Sequence, residues 1–387
     1  MSESDRRLRV AVLNRIFSPT AGGAERYSMA LVERLAQRHE IHVFAQRIDH
    51  RWPGVTYHRV SAPLAKPRWI NQLWFSSVTW WATRRGFDVV HSHEAVWHGQ
   101  VQTVHVVPVK YTLFVGRSGW RWLLRCLKVL SSPRLLAYLW LEHQRLSVRS
   151  DRCIVVASSS LSKQVAAVYP ALARGLRVLT PGVTGVAGVA GAAQKDAARQ
   201  RLGLRSSGHG ILFVANDYQK KGLDALLLAL AQLPDDVWLA VVGDGAQIPF
   251  YSALAKACGV ADRLVFLGPL EDVGDAYRAA DCLAHPTLDD TFAMVVLEAM
   301  AHGLPVVLSS ERHCGISALL EHERNALILD EPSNAQALAM ALRRLLEDSA
   351  LRQRLSAAAL SFAGQHLWST TAEQQEAIYR SIAAQKT

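Results

Sequence analysis

The chain has few cysteines and little charge for its 387 residues. Its five cysteines are odd in number and far apart, without a Cys-x-x-Cys pair or a histidine at zinc-ligand spacing. This argues against a disulfide framework or a zinc site and favours a reducing compartment. Only 20% of the residues are charged and 50% are hydrophobic, which excludes a disordered chain or a fibrous repeat.

Long apolar runs are also missing. The uncharged stretch from Trp69 to Thr83 is shorter than the roughly 18–20 apolar residues that cross a bilayer, and it contains Asn, Gln, Ser and Thr. The N-terminal MSESDRRLRV holds acids and arginines and is not followed by the apolar stretch of a secretory signal. We therefore expect a cytoplasmic protein that does not span a membrane.

Charge is divided unevenly between the two halves of the chain. Residues up to Val183 include 26 basic and 10 acidic side chains, and the remainder includes 17 and 23, so the halves carry net charges of +16 and −6. Between Arg59 and Arg134, eleven basic residues accompany only Asp88 and Glu94. The two halves are thus expected to meet different neighbours.

Tryptophan follows the basic residues. Nine of the eleven tryptophans lie in the first half, and GRSGWRWLLRCLKVL interleaves them with cations and leucines. Such a segment suits an anionic membrane surface, where rings sit at headgroup depth and cations meet lipid phosphates. The alternatives are a solvated basic face with core tryptophans, or a nucleic-acid surface, although no helix-turn-helix, zinc-finger or RNP-like pattern accompanies the charge.

The hydrophobic pattern predicts an α/β protein with two doubly wound, Rossmann-like domains. Apolar strand-like runs such as LRVAVLN, FDVVHSH and VQTVHVV alternate with helical periodicity, and the alternation restarts at GILFVAN after the small-residue run TGVAGVAGAAQ. We assign residues 1–183 to an N-terminal domain, 184–365 to a C-terminal domain and 366–387 to a C-terminal helix that packs back on the first domain. Ligands of such sheets bind at the carboxyl ends of the strands, which predicts an interdomain cleft.

The most specific segment is HPTLDDTFAMVVLEAMAHGLPVV, from His285 to Val307. Its pattern predicts a strand that ends at Asp289 and Asp290, a helix that begins near Phe292, and Glu298 two turns into that helix. Backbone amides at this helix start would bind an anion such as a diphosphate without a metal. The simpler interpretation is a capping aspartate and a partly buried helical glutamate.

This segment resembles the E-x7-E region of the retaining glycosyltransferases of family 4, which have the GT-B architecture of two facing Rossmann-like domains. AGGAER, RVLTPGV, KKGLDALLLAL, AVVGDG, RLVFLGPL and AYRAADCLAHPT match as well, so the resemblance covers nearly the whole chain. It is greatest for the lipopolysaccharide core glucosyltransferase I subgroup, which shares Ala215 and Asn216 where many members have glycine and arginine.

The resemblance implies a role for individual residues. Glu298 would hold the nucleotide ribose, Asp290, in place of the usual glutamate, would contact the donor sugar, and Lys221 would bind the diphosphate. The predicted catalytic residues are His105, Lys221 and Asp290, and the predicted acceptor-side residues are His93 and Glu94. The predicted donor-binding residues are Gly22, Gly23, Asn216, Lys220, Lys221, Gly243, Asp290, Thr291, Phe292, Ala293, Met294 and Glu298.

The resemblance implies a retaining, metal-independent transfer of a hexose, and we expect this hexose to be glucose from UDP-glucose. The implied acceptor is a lipopolysaccharide core or a similar glycolipid, and the implied location is the inner face of the cytoplasmic membrane. In this family the leaving phosphate is usually held to accept the acceptor's proton. No cofactor, metal or nucleic-acid partner is expected; the nucleotide sugar is a substrate. The alternatives are a family 4 enzyme for another surface polysaccharide or glycolipid, a GT-B epimerase, or a non-enzymatic protein that binds anionic lipid or nucleic acid.

Overall fold

The computed structural model describes residues 6–19, 22–64 and 66–385. The chain divides into two compact units. The first comprises the residues up to Thr180 together with those from Trp368 onward, and the second is Pro181–Leu367. Each unit is built on its own parallel β-sheet.

The first unit contains a seven-stranded parallel sheet in the order β5-β3-β1-β6-β7-β8-β9, and a small sheet of β2 and β4. Its strands are β1 (Arg9–Leu13), β2 (Ile16–Phe17), β3 (Glu40–Ala45), β4 (Arg47–Ile48), β5 (Val55–Arg59), β6 (Val89–Ser92), β7 (Val101–Val104), β8 (Cys153–Val156) and β9 (Leu176–Val178). Its helices before the linker are α1 (Gly23–Leu35), α2 (Arg68–Thr83), α3 (Val109–Phe114), α4 (Gly119–Leu130), α5 (Pro133–Arg145) and α6 (Ser159–Val168). The strand order reverses between β1 and β6, so the crevice for a ligand is expected at the carboxyl ends of these two strands.

The second unit contains a six-stranded parallel sheet in the order β12-β11-β10-β13-β14-β15. The strands are β10 (His209–Val214), β11 (Val237–Val242), β12 (Leu264–Gly268), β13 (Cys282–His285), β14 (Val306–Ser309) and β15 (Leu327–Leu329). The helices are α7 (Ala192–Arg201), α8 (Leu223–Leu230), α9 (Ile248–Ala257), α10 (Gly274–Ala279), α11 (Met294–Ala301), α12 (Ala335–Glu347) and α13 (Ser349–Gly364). This is the Rossmann order, and it reverses between β10 and β13.

Hydrophobic cores cover both faces of this second sheet. Along β10, Ile211 and Phe213 belong to one cluster of buried side chains, whereas Leu212 and Val214 belong to the other. Side chains of a strand alternate between the faces of its sheet, so a strand buried on both sides must be apolar throughout. The continuous apolar runs of β10 and β11 are the sequence signature of this burial.

The chain returns to the first unit at its end. The run of small residues from Thr184 to Gly191 contains no helix or strand, and Ala187 donates its amide hydrogen to the carbonyl of Ala301. After α13, the helix α14 (Trp368–Ala384) packs against α1 and β6 of the first unit. None of the helices in the described part of the chain is long and apolar enough to cross a membrane.

Several predicted element boundaries were wrong by a few residues. The strand before Asp289 and Asp290 ends at His285, and α11 begins at Met294 rather than near Phe292. Ala293 adopts a left-handed backbone conformation with φ of 72°, which a helix cannot include. Glu298 is therefore one turn, not two turns, into its helix.

The histidine strands also end early. Both β6 and β7 stop just before His93 and His105, which the sequence pattern included in the strands. Both histidines are therefore the first residues of loops at the carboxyl edge of the sheet. Ligand-binding residues of this fold class lie in that position.

Candidate functional site

The loops after β10 and β13 bring together residues that are distant in sequence. Lys221 lies 69 residues before Asp290, and its Nζ is 2.7 Å from Asp290 Oδ2. The same ammonium donates to the carbonyl of Asp289 at 2.9 Å. Lys220 turns away, and its exposed ammonium pairs with the exposed Asp289 carboxylate at 2.8 Å. The two neighbouring lysines therefore have different surroundings, and Lys221 is the more enclosed.

A buried histidine completes this group, and the sequence analysis did not single it out. His285 lies at the end of β13, and its Nε2 is 3.2 Å from Asp290 Oδ2. Its side chain is only 1% exposed. The histidine of the HPT segment was the available signal, but the apolar strand before it is equally typical of a core residue.

Asp290 is held as a carboxylate anion. Its burial alone would raise its pKa, but the hydrogen bond with His285 and the charge of Lys221 hold the pKa well below the ordinary value. Its other oxygen, Oδ1, accepts from the amides of Phe292 at 3.2 Å and Ala293 at 2.9 Å. Asp290 thus joins Lys221 to the chain that leads into α11.

The segment from Thr291 to Met294 contributes mainly backbone to this edge. The side chains of Phe292 and Ala293 are buried in the core, and those of Thr291 and Met294 are partly exposed. Met294 is the first residue of α11, so the first amides of that helix lie here. Such amides carry partial positive charge and have no acceptor within the helix, which suits an anionic ligand.

Glu298 lies further along α11 and contacts a tyrosine from the neighbouring helix α10. Its Oε2 accepts a hydrogen bond from the Tyr277 hydroxyl at 2.9 Å. Glu298 is partly exposed, whereas Tyr277 is buried.

Two glycines are required where backbones approach each other at this edge. A Cβ on Gly222 would lie 2.0 Å from the Pro286 carbonyl oxygen, and one on Gly243 would lie 1.6 Å from that of Ala215. Both also have positive φ, which disfavours other residues. Asn216 Oδ1 accepts from the Asp244 amide at 3.3 Å, and the Asp244 carboxylate caps the following turn by accepting from the Ala246 amide at 3.2 Å.

In the first unit, the predicted residues His93 and His105 are in direct contact. His93 Nδ1 is 2.9 Å from His105 Nε2, and their rings stack. The Tyr27 ring meets His105 edge-on. Burial, with the nearby charge of Arg145, lowers the pKa of His105 to about 3, and burial also lowers the pKa of His93. Both imidazoles are therefore neutral near pH 7.

The ring of His93 packs against His91, which is held by buried residues that the sequence analysis did not select. His91 contacts the Tyr379 hydroxyl through Nδ1 at 2.5 Å and Thr103 Oγ1 through Nε2 at 2.7 Å. The buried Arg145 donates to the carbonyl of Thr103 and to Gln102 Oε1. No motif marks these residues, because the contacts join β6, β7, α5 and α14 across the fold.

Glu94 and the glycine loop also lie in the first unit. Both Glu94 oxygens accept from Arg15, one from the amide at 3.0 Å and one from Nε at 3.3 Å. Gly22 caps α1, Gly23 is its first residue, and the Gly22 amide donates to Glu25 at 3.0 Å. The Glu25 carboxylate thus already accepts from one of the backbone N–H groups at the start of α1. In the described ranges, no cluster of three or more His, Cys, Asp or Glu side chains could hold a metal ion.

Two units with Rossmann-type parallel sheets and polar residues at the carboxyl ends of their strands place the chain among the doubly wound α/β proteins. The comparisons with known proteins are more specific. A family model described as Glycosyltransferase Family 4 matches residues 21–184, and one described as Glycosyl transferases group 1 matches residues 194–362. A D-inositol 3-phosphate glycosyltransferase of Geodermatophilus obscurus is 30% identical over 94% of this chain and 85% of its own length. The chain therefore belongs to glycosyltransferase family 4, the retaining glycosyltransferases with the GT-B fold, as the sequence analysis predicted.

Other relatives differ in what their names describe. The lipopolysaccharide glucosyltransferase WaaG of Escherichia coli is 32% identical over 41% of this chain and 42% of its own length. A D-inositol 3-phosphate glycosyltransferase of Xylanimonas cellulosilytica is 32% identical over 60% of this chain and 57% of its own length. In three curated relatives that are named D-inositol 3-phosphate glycosyltransferases, the part that matches this chain is only 52–65% of the relative's own length.

Solved structures confirm the fold. The structure of WaaG, a glycosyltransferase involved in lipopolysaccharide biosynthesis, superposes with a TM-score of 0.82 at 22% identity and covers 96% of this chain and 99% of its own. Anabaena HepE in complex with UDP-glucose superposes with a TM-score of 0.75 at 19% identity and covers 97% of this chain and 100% of its own. The predicted GT-B class is thereby confirmed.

Proposed function

We propose that this chain moves glucose from UDP-glucose, with retention of configuration, to a membrane-embedded glycolipid such as a lipopolysaccharide core precursor. The observation that carries the donor side is the group of Lys221, Asp290 and His285 beside the start of α11. The solved HepE complex holds UDP-glucose in a protein of the same fold, which supports a nucleotide-sugar donor.

Lys221 is suited to stabilise a departing diphosphate. An ammonium has three N–H donors, and two of those of Lys221 point to Asp290 and Asp289. The third can reach a phosphate oxygen while the amides at the start of α11 supply partial positive charge. Because these groups are oriented before the donor arrives, they stabilise the charge that develops on the leaving group.

The histidine pair is suited to hydrogen bonding rather than to proton removal. With a pKa of about 3, His105 is a weak base at neutral pH. In the proposed step, the acceptor oxygen bonds to the anomeric carbon on the face from which the carbon–phosphate oxygen bond breaks, and the acceptor's proton passes to the leaving phosphate oxygen. His105, held by His93, would hydrogen-bond a sugar hydroxyl.

The acceptor side carries an exposed apolar surface, which we call the aromatic surface. It lies on α2, α4 and α5, which contact one another through α5. Its exposed side chains are Trp74, Trp80, Trp81, Trp120, Trp122, Leu123, Leu124, Leu127, Leu130, Leu136 and Trp140. Of the twelve residues of α4, Val129 is the one that is buried.

Cations border this surface: Arg84, Arg85, Arg121, Lys128 and Arg134 are all exposed. Soluble proteins rarely expose this many large apolar side chains on neighbouring helices unless they meet a partner or a membrane. Aromatic and leucine side chains beside lysine and arginine match the interface of an anionic bilayer. We therefore infer that the first unit attaches to the inner face of the cytoplasmic membrane, where a lipid-linked acceptor is available.

A phosphorylated cyclitol is the second candidate acceptor. The relative from Geodermatophilus obscurus, which spans 94% of this chain, is named for D-inositol 3-phosphate. A small water-soluble acceptor of that kind would give the aromatic surface no role. For this reason the glycolipid is the preferred acceptor.

The test supplies purified protein with UDP-glucose, UDP-galactose, GDP-mannose or ADP-glucose, together with a lipid-extracted glycolipid or inositol 3-phosphate, and measures the nucleotide released. We expect UDP release only with UDP-glucose plus the glycolipid. Lys221→Ala should lower kcat by roughly a hundredfold or more, as loss of a group that stabilises developing charge does elsewhere.

Lys256→Ala is the matched control, since it removes an exposed lysine of α9. It should retain the activity of the unmodified protein. Full activity of Lys221→Ala would refute the role of this lysine. Turnover of the nucleotide sugar without an acceptor would instead indicate an epimerase, and absence of nucleotide binding would indicate a non-enzymatic lipid-binding protein.

A further inference from the structure

The tyrosine that contacts Glu298 is buried, and it lines a cavity of about 360 Å³ together with His302. Tyr277 is 3% exposed. Its hydroxyl lies 2.9 Å from Glu298 Oε2 and 3.4 Å from the Val295 carbonyl oxygen, so the carboxylate is the nearer acceptor. The ring packs on the His302 ring, with centroids 5.0 Å apart. Nδ1 of His302 is in turn 3.0 Å from the carbonyl oxygen of Glu298.

These contacts fix the position of a single carboxylate. The Glu298 side chain has three rotatable bonds, and its Oε2 is held by a residue from another helix. The tyrosine ring that holds it packs against His302, the residue that follows the last residue of α11. A carboxylate restrained in this way loses less conformational entropy when it binds a ligand.

We propose that Tyr277 is a positioning residue for the nucleotide ribose. By holding Oε2 of Glu298, it fixes the orientation of the carboxylate that would hydrogen-bond the ribose hydroxyls of the donor. The inference rests on the proposed function and on the ribose role that the family resemblance implies for Glu298. Packing alone requires only the ring, because phenylalanine would fill the same space, so the hydroxyl is the part that carries this role.

The experiment measures binding of UDP and of its 2′-deoxy and 3′-deoxy forms by calorimetry. Tyr277→Phe removes only the hydroxyl. We expect its Kd for UDP to rise about three- to tenfold, and the preference for UDP over one of the deoxy forms to fall by the same factor. In the transfer reaction, KM for the nucleotide sugar should rise while kcat changes little.

Tyr169→Phe is the matched control. Its hydroxyl also donates to a carboxylate, Glu142 Oε1 at 3.0 Å, but in the other unit of the chain. This variant should bind UDP and the deoxy forms as the unmodified protein does. Any loss of discrimination specific to Tyr277→Phe then reports on the ribose contact rather than on the loss of a tyrosine hydroxyl that donates to a carboxylate.

Glu298→Ala separates the two hypotheses. If Glu298→Ala binds UDP normally, the ribose role that the resemblance implies for Glu298 is wrong. If Glu298→Ala weakens binding and Tyr277→Phe does not, the positioning role is refuted while the proposed function stands. Equal weakening for UDP and both deoxy forms, or a further loss when Tyr277→Phe is added to Glu298→Ala, would also refute the positioning role.

Discussion

Single residues at the two carboxyl edges differ in charge because their neighbours differ. Asp290 is partly buried beside Lys221 and stays ionised. His91 is buried beside His105 and Arg145, and its pKa falls to about 3, mainly because burial removes water from the charged form. One edge therefore has an anion fixed by a cation, and the other has neutral imidazoles near a cation.

The depressed histidine pKa values predict how stability depends on pH. In the unfolded chain a histidine has a pKa near 6.5, whereas His91 in the folded protein has a pKa of about 3. Between these two pH values, the unfolded state therefore binds more protons than the folded state. The free energy of unfolding should thus be constant above pH 7 and fall as the pH is lowered through 6.5 towards 4. The limiting slope is about 1.4 kcal/mol per pH unit for each such histidine.

Urea unfolding, followed by tryptophan fluorescence at several pH values, measures this slope. His91→Gln should reduce the slope of the free energy of unfolding against pH by the contribution of one histidine. The control His143→Gln changes an exposed histidine of α5 and should leave the slope as it is. Parallel pH profiles for the unmodified protein and His91→Gln would contradict the role of burial in the low pKa.

At the scale of elements, α4 differs from the other helices in what it buries. Its sequence is strongly amphipathic, yet Leu123 and Leu127 remain more than half exposed. Helices of a globular protein usually bury their apolar stripe against the core. The stripe of α4 faces solvent instead, which is why we assign it to the membrane.

We predict that removing this stripe weakens membrane attachment. The protein should co-sediment with vesicles that contain anionic phospholipid at low salt, and less so at 0.5 M salt, because salt screens the cations. The double substitution Leu123→Ser and Leu127→Ser should weaken binding at least tenfold, since burying each leucine contributes roughly 2 kcal/mol.

The control is the pair Leu228→Ser and Met340→Ser, which alters two exposed apolar residues of the acidic second half. It should bind vesicles as the unmodified protein does. If the unmodified protein does not bind anionic vesicles at low salt, the membrane assignment is wrong.

At the scale of the whole molecule, the last helix of the chain belongs to the first unit. Trp368 packs edge-on against Tyr27, and Tyr379 contacts His91. On the same helix, the buried Glu376 pairs with the exposed Arg38 at 2.9 Å. The first unit is thus completed only after the second has been synthesised.

We predict that Tyr379→Ala destabilises the first unit by about 3–5 kcal/mol, the usual cost of truncating a buried aromatic residue. Hydrogen exchange measured by mass spectrometry should show faster exchange in β6 and α1, with no change in β10 or β11. Glu373→Ala, at an exposed position of the same helix, should change neither. Faster exchange in both units with Tyr379→Ala would contradict the division into units.

The sequence by itself determined the two sheets, the order of their elements and the family. Apolar strands buried on both faces, such as β10 and β11, leave a continuous hydrophobic run, and glycines at positive φ, such as Gly222 and Gly243, leave a turn signature. These are local constraints, so they can be read along the chain. The exact start of α11 could not be read, because Asp290 caps Phe292 and Ala293 before the helix itself begins.

Tertiary structure alone decided which side chains meet. The pairing of Lys221 with Asp290, the hold of Tyr277 on Glu298 and the contact of Tyr379 with His91 join residues 69, 21 and 288 positions apart. Such contacts, and the pKa values that follow from them, depend on packing and on the water that packing removes. No pattern of neighbouring residues along the chain specifies this packing or the water that it removes. The contacts and the pKa values therefore arise only when the sheets and helices assemble.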